Sequence, residues 1–377
     1  MKIHVWVPDY AAAIGGIQTF SRFFVRGLRD VFPDAWIAVF SKNDSSYPDF
    51  TKEPANDVTP FGWWQIRLRT FAFSVVLFRR AMGDRPDLII CTHSNFAPLA
   101  RVTQRFMGTP YWVVGHGVEV WEVPNASIRK ALRAANGLLA VSQFTRDRMA
   151  ATLNMPGEKI AILPDTFDSE KFQPIAKPRF LLKRYQLRPD IPVILTLARL
   201  DASEQYKGYD QVLRAMPLVL KRFPDARYIL AGHGHDRPRI ESLVRKLGLT
   251  GSVTLTGYVA DHELASHYNL CDVFVMPSKG EGFGIVFLEA LGCGKPIIAG
   301  NKDASPEALL NGKLGVLVDP DNPREIADAV IQILSRSHPN KLLQEPEMLR
   351  REVIEAYGYE RFVERLREIL SKVEIRK

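Results

Sequence analysis

The chain has 377 residues, 46% hydrophobic and 24% charged, a globular composition with the length of two moderate domains. The formal net charge of +8 would suit phosphorylated substrates, an anionic membrane surface or nucleic acid. No RNP or zinc-finger signature accompanies this charge, so we expect no nucleic-acid partner.

Three widely spaced cysteines without a CxxC pair argue against a disulfide framework or a zinc site and favour a reducing cytoplasm. The apolar stretch after Met1 and Lys2 meets Asp9 almost at once, which is too short for a signal peptide. No apolar run approaches the roughly 20 residues of a spanning helix, so we expect a chain that does not cross a membrane.

Short apolar runs alternate with helical segments along the first half of the chain. A glycine-containing loop at 9–16 and a helix at 18–31 follow the first run. Such an alternation predicts a parallel sheet that is buried on both faces. The predicted strands are residues 2–8, 36–40, 88–90, 111–114 and 138–141.

The same alternation restarts after a proline-containing linker at 174–178, without a sequence repeat of the first half. We therefore predict two doubly wound α/β domains, residues 1–173 and 174–357, with a cleft between them and ligands at the carboxyl ends of the strands. The predicted strands are 193–197, 228–231, 253–256, 273–276 and 296–299, and the predicted helices 209–222, 237–247 and 284–291.

Residues 63–80 combine aromatic and aliphatic side chains with four arginines. Residues 61–133 as a whole hold ten Lys and Arg against four acidic residues. A helix with an apolar face and a basic edge can lie on an anionic lipid surface. The alternative is a core helix whose arginines point outward, within an ordinary solvated basic face.

Residues 278–289 (SKGEGFGIVFLE) carry the strongest chemical signal. They follow the predicted strand 273–276 and open a helix. Gly282 and Gly284 permit close approach of a ligand to the backbone, and the amides of the first helical turn form an anion site. Glu281 and Glu289 lie on either side of these amides, an arrangement that suits a sugar nucleotide.

Glu281 and Glu289, with seven residues between them, resemble the paired-glutamate signature of family 4 retaining glycosyltransferases, which have the GT-B fold. The resemblance continues in order over nearly the whole chain. Further matching blocks are Gly15-Gly16-Ile17, Gly115-His116-Gly117, Ala140-Val141-Ser142, Ala198-Arg199-Leu200, Lys207-Gly208, Ala231-Gly232-His233-Gly234 and Gly257-Tyr258-Val259.

The resemblance implies a role for each matched position. Arg199 and Lys207 would clamp the donor diphosphate and stabilise its leaving charge without a metal or another cofactor; Glu281 would contact the sugar, and Glu289 the ribose. The chain end, about 358–377, would return to the first domain. The remaining implied donor contacts are Gly15, Gly16, Gly257, Tyr258, Val259, Gly282, Phe283, Gly284, Ile285 and Val286.

Two histidines are candidates for the reacting or acceptor side. His116 resembles the family's active-site histidine and would donate to a sugar hydroxyl, or orient the sugar through its backbone. His93 follows a predicted strand and could contact the acceptor. Each could instead be a structural histidine. At Asp165 and Thr166 the chain departs from the family's Pro-Asn-Gly block, so we assign no substrate contact there.

The resemblance therefore implies a retaining hexosyltransferase. We expect a UDP-hexose as donor, with GDP-mannose second, and a glycan or lipid-linked glycan as acceptor. The enzyme would be cytoplasmic and peripheral on the inner face of the membrane. A GT-B sugar-nucleotide epimerase and a non-catalytic sugar-nucleotide-binding subunit remain alternatives, and the sequence identifies no partner protein.

Overall fold

The computed structural model describes residues 1–10, 15–45, 55–63 and 66–371. Trp64 of the basic aromatic segment, part of the loop 9–16 and the last six residues of the chain lie outside these residues. The chain divides into two compact units. The first holds residues 1–166 together with 359–377, and the second holds 167–358, so the division falls seven residues before the predicted 173/174.

The first unit is built on a seven-stranded sheet with the order β3-β2-β1-β4-β5-β6-β7, in which every neighbouring pair is parallel. Its elements are β1 (Lys2–Val7), α1 (Gly16–Val31), β2 (Trp36–Ser41), β3 (Asp57–Pro60), α2 (Ile66–Asp84), β4 (Leu88–Cys91), α3 (Ala97–Met107), β5 (Tyr111–Gly115), α4 (Val118–Trp121), α5 (Ala126–Arg133), β6 (Gly137–Ala140), α6 (Gln143–Leu153), β7 (Ile160–Ile162) and, from the end of the chain, α15 (Tyr359–Ser371).

Strand β1 shows why this sheet forms. Ile3, Val5 and Val7 alternate along this strand and are fully buried, and His4 and Trp6 on the opposite face are fully buried too. A strand that is covered on both faces is typical of a parallel sheet between two helical layers. The alternation seen in the sequence therefore describes only one of the two buried faces.

The last helix, α15, packs against α1 in the first unit. Gly27 permits this approach, because a Cβ at that position would lie 2.9 Å from Leu366 Cδ2. The guanidinium of Arg26 lies 4.1 Å from the centre of the Tyr359 ring, a cation–π contact between the same two helices. The end of the described chain is thus part of the core of the first unit.

The second unit is built on a six-stranded sheet with the order β10-β9-β8-β11-β12-β13, again with parallel neighbours. This repeats the doubly wound arrangement and confirms the predicted fold class. Its elements are α7 (Arg179–Arg184), β8 (Val193–Leu197), α8 (Tyr209–Arg222), β9 (Arg227–Ala231), α9 (Arg237–Lys246), β10 (Val253–Gly257), α10 (Leu264–Leu270), β11 (Val273–Met276), α11 (Ile285–Gly292), β12 (Ile297–Gly300), α12 (Ser305–Ala308), β13 (Gly315–Val318), α13 (Pro323–Leu334) and α14 (Pro346–Tyr357).

The basic aromatic segment forms α2, which begins at Ile66 rather than at residue 63 and ends at Asp84. Phe73 and Leu77 are buried in the core of the first unit, whereas Phe71 and Val75 are exposed. The core interpretation therefore holds for one side of α2, and the membrane interpretation stays a prediction for the exposed side. Within the described residues, no helix has the length and apolar content needed to span a bilayer. The three cysteines are free thiols and buried.

Candidate functional site

Strands β8 and β11 lie side by side in the second sheet, and the chain continues from β8 to one side and from β11 to the other. The loops that follow these strands meet at this topological switch point, where open parallel sheets bind their ligands. The loop after β8 carries Arg199 and Lys207, and the loop after β11 carries Glu281. The order of the strands thus brings together residues from two separate sequence blocks.

Lys207 is positioned by a short 3-10 turn, Ala202–Lys207, that ends at Gly208. Gly208 has φ +79°, and a Cβ there would lie 2.3 Å from the carbonyl oxygen of Pro277. Only glycine fits this backbone and this contact. The Lys207-Gly208 block is therefore required locally, because it lets the loop after β8 pass close to the loop after β11.

Four charged side chains form one cluster at this point, called here the charge cluster: Arg199, Glu204, Lys207 and Glu281. Lys207 Nζ lies 2.6 Å from Glu281 Oε1 and 3.7 Å from Glu204 Oε2. An Arg199 Nη lies 3.1 Å from Glu204 Oε1. The cluster balances two cations with two anions.

Its members differ in exposure. The side chain of Arg199 is 56% exposed, whereas those of Lys207 and Glu281 are 16% and 13% exposed. Burial acts to lower the pKa of Lys207, but the opposing charge and hydrogen bond of Glu281 outweigh it and the pKa is raised. Lys207 is therefore a fixed, fully protonated cation, while the guanidinium of Arg199 is paired with Glu204 but open to solvent.

Glu204, which lies between Arg199 and Lys207 in the chain, is not among the residues predicted for the site. Its position in the sequence could have indicated it, because Glu204 lies three residues before Lys207. At this spacing one helical turn brings the two side chains close enough for an ion pair. Glu204 therefore supplies the carboxylate that links the two cations.

Asp303, which follows β12, was also missed. Its carboxylate accepts hydrogen bonds from the backbone amides of Glu281 (2.7 Å) and Ser305 (2.9 Å). Burial raises the pKa of Asp303 to about 6, although these amide hydrogen bonds act in the other direction. The peptide of Glu281 is thus held from a neighbouring strand, and no motif recognised in the sequence includes Asp303.

Helix α11 begins directly after this loop. Its N-cap residue, Gly284, has φ +101°, and no side-chain hydrogen bond caps the helix among the described residues. Phe283 and Ile285 are buried, so only their backbones can contact a ligand. No side chain competes for the amides of the first turn, and the phosphate contacts of residues 282–286 stay a prediction.

Glu289 lies in α11 and is only 8% exposed. The hydroxyl of Tyr268, in α10, donates a 2.7 Å hydrogen bond to Glu289 Oε2. Burial, and then the neighbouring charge of Glu289, raise the pKa of Tyr268 well above its usual value. Tyr268 therefore stays a donor and fixes one oxygen of this carboxylate.

The loops after β9 and β10 also meet. The amide of Gly232 donates to the carbonyl of Gly257 (3.0 Å), and the rings of His233 and Tyr258 pack edge to face with centroids 5.7 Å apart. Tyr258 is 61% exposed, whereas Val259 is buried. Of the implied donor contacts Gly257, Tyr258 and Val259, Tyr258 is the one that offers an exposed side chain.

In the first unit the switch point lies between β1 and β4. Gly15 is the N-cap of α1 and Gly16 its first residue, and the first turn of this helix has no acidic side chain. The predicted glycine loop therefore ends at a helix N-terminus. His93 follows β4 and accepts a hydrogen bond from the amide of Asn95 on Nδ1 (3.2 Å).

His116 follows β5 and has its imidazole Nε2 2.9 Å from the carbonyl oxygen of Thr92. A carbonyl can only accept, so Nε2 carries the proton and donates. Burial lowers the pKa of His116 to about 4, so the ring is neutral near pH 7 and its Nδ1 can accept a hydrogen bond. The amide of His116 donates to Glu119 Oε1 (2.5 Å). Because Nε2 donates to Thr92, the neutral ring can offer a sugar hydroxyl only the acceptor Nδ1, which differs from the predicted donor role.

Within the described part of the chain, no three His, Cys, Asp or Glu side chains are grouped so that they could hold a metal ion. Two cationic side chains, those of Arg199 and Lys207, lie at the second switch point, where they can counter the charge of a phosphate.

Two family models match the chain, "Glycosyltransferase Family 4" over residues 14–171 and "Glycosyl transferases group 1" over residues 180–355. Together they cover every strand of the two sheets except β1, and they include the charge cluster. The chain belongs to the family 4 glycosyltransferases and has the GT-B fold.

Among its relatives is a GDP-mannose-dependent alpha-(1-6)-phosphatidylinositol monomannoside mannosyltransferase of Mycobacterium tuberculosis, 35% identical over 231 residues, which are 58% of this chain and 59% of that protein. The match thus spans about three fifths of that relative. A GDP-mannose-dependent monoacylated alpha-(1-6)-phosphatidylinositol monomannoside mannosyltransferase of Corynebacterium glutamicum is 26% identical over 88% of each chain.

A solved structure with the same fold is the sucrose-phosphate synthase of Thermosynechococcus elongatus. The TM-score is 0.82 and the sequence identity 20%, over 98% of each chain. At this identity the likeness describes the fold only.

Proposed function

We propose that this protein is a retaining, metal-independent mannosyltransferase that moves mannose from GDP-mannose to a lipid-linked glycan. The observation that supports this most directly is the Lys207–Glu281 ion pair at the switch point of the second sheet. It joins a diphosphate-binding cation to a carboxylate of the paired-glutamate motif in one small cluster.

The charge cluster suits a leaving group that gains negative charge. When the bond between the sugar and the diphosphate breaks, Lys207 faces the developing charge from a fixed position. Arg199 is exposed enough to leave Glu204 and form a bidentate contact with the diphosphate. The uncapped amides of α11 supply further donors. These groups provide the positive charge that a metal supplies in other enzymes.

Glu281 is held at two points, by Lys207 through its carboxylate and by Asp303 through its amide. A carboxylate fixed in this way can hold hydroxyls of the donor sugar while C1 gains positive character. In the reaction the bond from C1 to the diphosphate breaks and a bond from C1 to the acceptor oxygen forms on the same face. The departing phosphate oxygen takes the acceptor's proton, so no separate protein base is needed.

The names of the relatives reverse the expected order of donors. Both mannosyltransferases are named as GDP-mannose-dependent, which favours GDP-mannose over the UDP-hexose that the sequence led us to expect. The acceptors in their names are phosphatidylinositol monomannosides, which supports a lipid-linked acceptor. An enzyme with such an acceptor works at a membrane surface, so we place this protein at the inner face of the membrane as a peripheral protein.

The test is sugar release from GDP-mannose, UDP-glucose and UDP-galactose by the purified chain in the presence of EDTA. We expect slow release of mannose from GDP-mannose alone, with the α-anomer as first product in NMR spectra recorded before mutarotation. Preference for a UDP-sugar would overturn the proposed donor. A β-anomer as first product would overturn the retaining stereochemistry, and activity that returns only when Mg²⁺ is added would overturn the metal independence. Donor binding without turnover, even with lipid extract added, would favour a non-catalytic subunit.

A further inference from the structure

The first unit exposes an apolar strip on α2 that its fold does not use. Leu68, Phe71, Val75 and Met82 are exposed, and with the half-buried Phe78 their spacing of three and four residues places them on one side of the helix. Phe71 is 73% exposed. The opposite side of α2, with Phe73 and Leu77, packs into the core. The helix is therefore apolar on two sides, and only one of them is covered within the unit.

Helix α3 extends this strip. It packs beside α2, and the rings of Phe78 and Phe106 meet edge to face with centroids 6.0 Å apart. Phe106 is 74% exposed, and Val102, one turn earlier, is also exposed. Contiguous exposed apolar side chains on two packed helices mark an interaction surface rather than scattered surface residues. We call this surface the α2–α3 face.

The charged side chains on the helices around the α2–α3 face are almost all positive. Helices α2, α3 and α5, which pack in sequence along one side of the sheet, contain nine Lys and Arg residues and a single acid, Asp84. Asp84 lies at the end of α2 and forms an ion pair with Arg80. By contrast, Arg79, Arg101 and Arg105 are exposed and form no ion pair among the described residues. Their charge is available to an anionic partner.

We propose that the α2–α3 face binds an anionic lipid bilayer, with its aromatic and aliphatic side chains in the headgroup region and its arginines on lipid phosphates. Aromatic and aliphatic side chains that enter this region beside Arg or Lys are the pattern of interfacial membrane binding. A row of basic residues without acids complements the negative surface potential of such membranes. An apolar interface between two copies would bring the same unpaired arginines together, which disfavours self-association.

The inference deepens the proposed function, since it names the surface that would hold the enzyme next to a lipid-linked acceptor. Vesicle binding itself does not depend on the donor or on turnover. The two proposals can therefore fail separately.

The experiment is sedimentation of the full chain with vesicles of phosphatidylcholine alone or mixed with phosphatidylglycerol, at low and high salt. We expect binding to the anionic vesicles only, weakened by salt. The triple variant R79E/R101E/R105E should bind roughly 100-fold more weakly, and F71S/F106S roughly 10-fold more weakly. All five side chains are exposed, so both variants should keep the wild-type unfolding transition.

Matched controls come from exposed residues of the second unit. The triple variant R214E/R245E/R351E makes the same change in net charge, and F180S removes an exposed phenylalanine. Both should bind vesicles like the wild-type chain. If the control triple variant weakened vesicle binding as much as R79E/R101E/R105E does, the effect would come from net charge alone. That result would overturn the assignment of binding to the α2–α3 face.

Absence of binding to anionic vesicles, or equal binding to neutral ones, would also overturn the proposal. A third outcome would overturn it as well: the wild-type chain forms a dimer in solution, F71S/F106S dissociates this dimer, and vesicles are not bound. The α2–α3 face would then be an interface between two copies of the chain. Mannose release from GDP-mannose without vesicle binding would remove this inference alone. Vesicle binding without turnover of any sugar nucleotide would leave it standing and remove the proposed function.

Discussion

Lys207 Nζ and Glu281 Oε1 lie 2.6 Å apart although 74 residues separate them in the chain. The two side chains are brought together because β8 and β11 are neighbours in the sheet while the segments between them lie elsewhere. A buried pair of this kind costs desolvation energy that its own attraction scarcely repays. Its retention at a switch point is better explained by a ligand that one partner binds than by stability.

Lys207→Ala should lower the turnover number for mannose transfer by roughly 10²–10³-fold, the loss typical of one stabiliser of transition-state charge. The substitution also leaves Glu281 without its ion pair, so the free energy of unfolding should fall by about 1–3 kcal/mol. Initial rates at saturating GDP-mannose and urea unfolding curves measure the two effects.

The matched control is Lys279→Ala. This lysine lies in the loop after β11, but its partner is Asp321 and its side chain is 42% exposed. It should keep near-normal turnover and stability. Near-normal turnover of Lys207→Ala itself would remove Lys207 from the site, whatever the change in stability.

Much of the fold could be predicted, because apolar runs such as residues 193–197 and 273–276 became β8 and β11 with little change in their bounds. Strand β3 (Asp57–Pro60) was not predicted, since four residues with an acid and a proline give no apolar run. The contacts of the site depend on strand order, which local sequence does not contain. Asp303 is the clearest case, because only the pairing of β11 with β12 brings it to the amide of Glu281.

Comparison of the wild-type protein with Asp303→Asn should show that protonation of the Asp303 carboxyl group stabilises the folded wild-type protein in acid. The pKa of Asp303 is raised to about 6 in the folded chain, against 3.8 for a free side chain, so the folded state binds the extra proton between these values. The stability that this group contributes is therefore fully present below pH 3.8 and is lost as the pH rises through 6.

The wild-type advantage in unfolding free energy over Asp303→Asn should consequently shrink by up to about 3 kcal/mol from pH 4 to pH 7. Urea unfolding of both proteins across this range measures the difference, in which other titrating groups cancel. An advantage that stays constant with pH, or grows toward pH 7, would contradict the raised pKa.

Glu289→Gln should weaken donor binding while the fold is kept. If the carboxylate accepts hydrogen bonds from the ribose hydroxyls, loss of its charge should raise the dissociation constant of GDP-mannose by roughly 10-fold or more. Calorimetric titration measures this dissociation constant directly, and Glu289→Ala should have the larger effect.

Tyr268→Phe is the informative control variant, because it removes the 2.7 Å hydrogen bond to Glu289 Oε2 but leaves the carboxylate in place. A small change for Tyr268→Phe with a large one for Glu289→Gln would assign the effect to direct contact with the donor. Equal losses in both would mean that Glu289 acts by holding α10 against α11, and unchanged affinity in Glu289→Gln would remove it from the donor site.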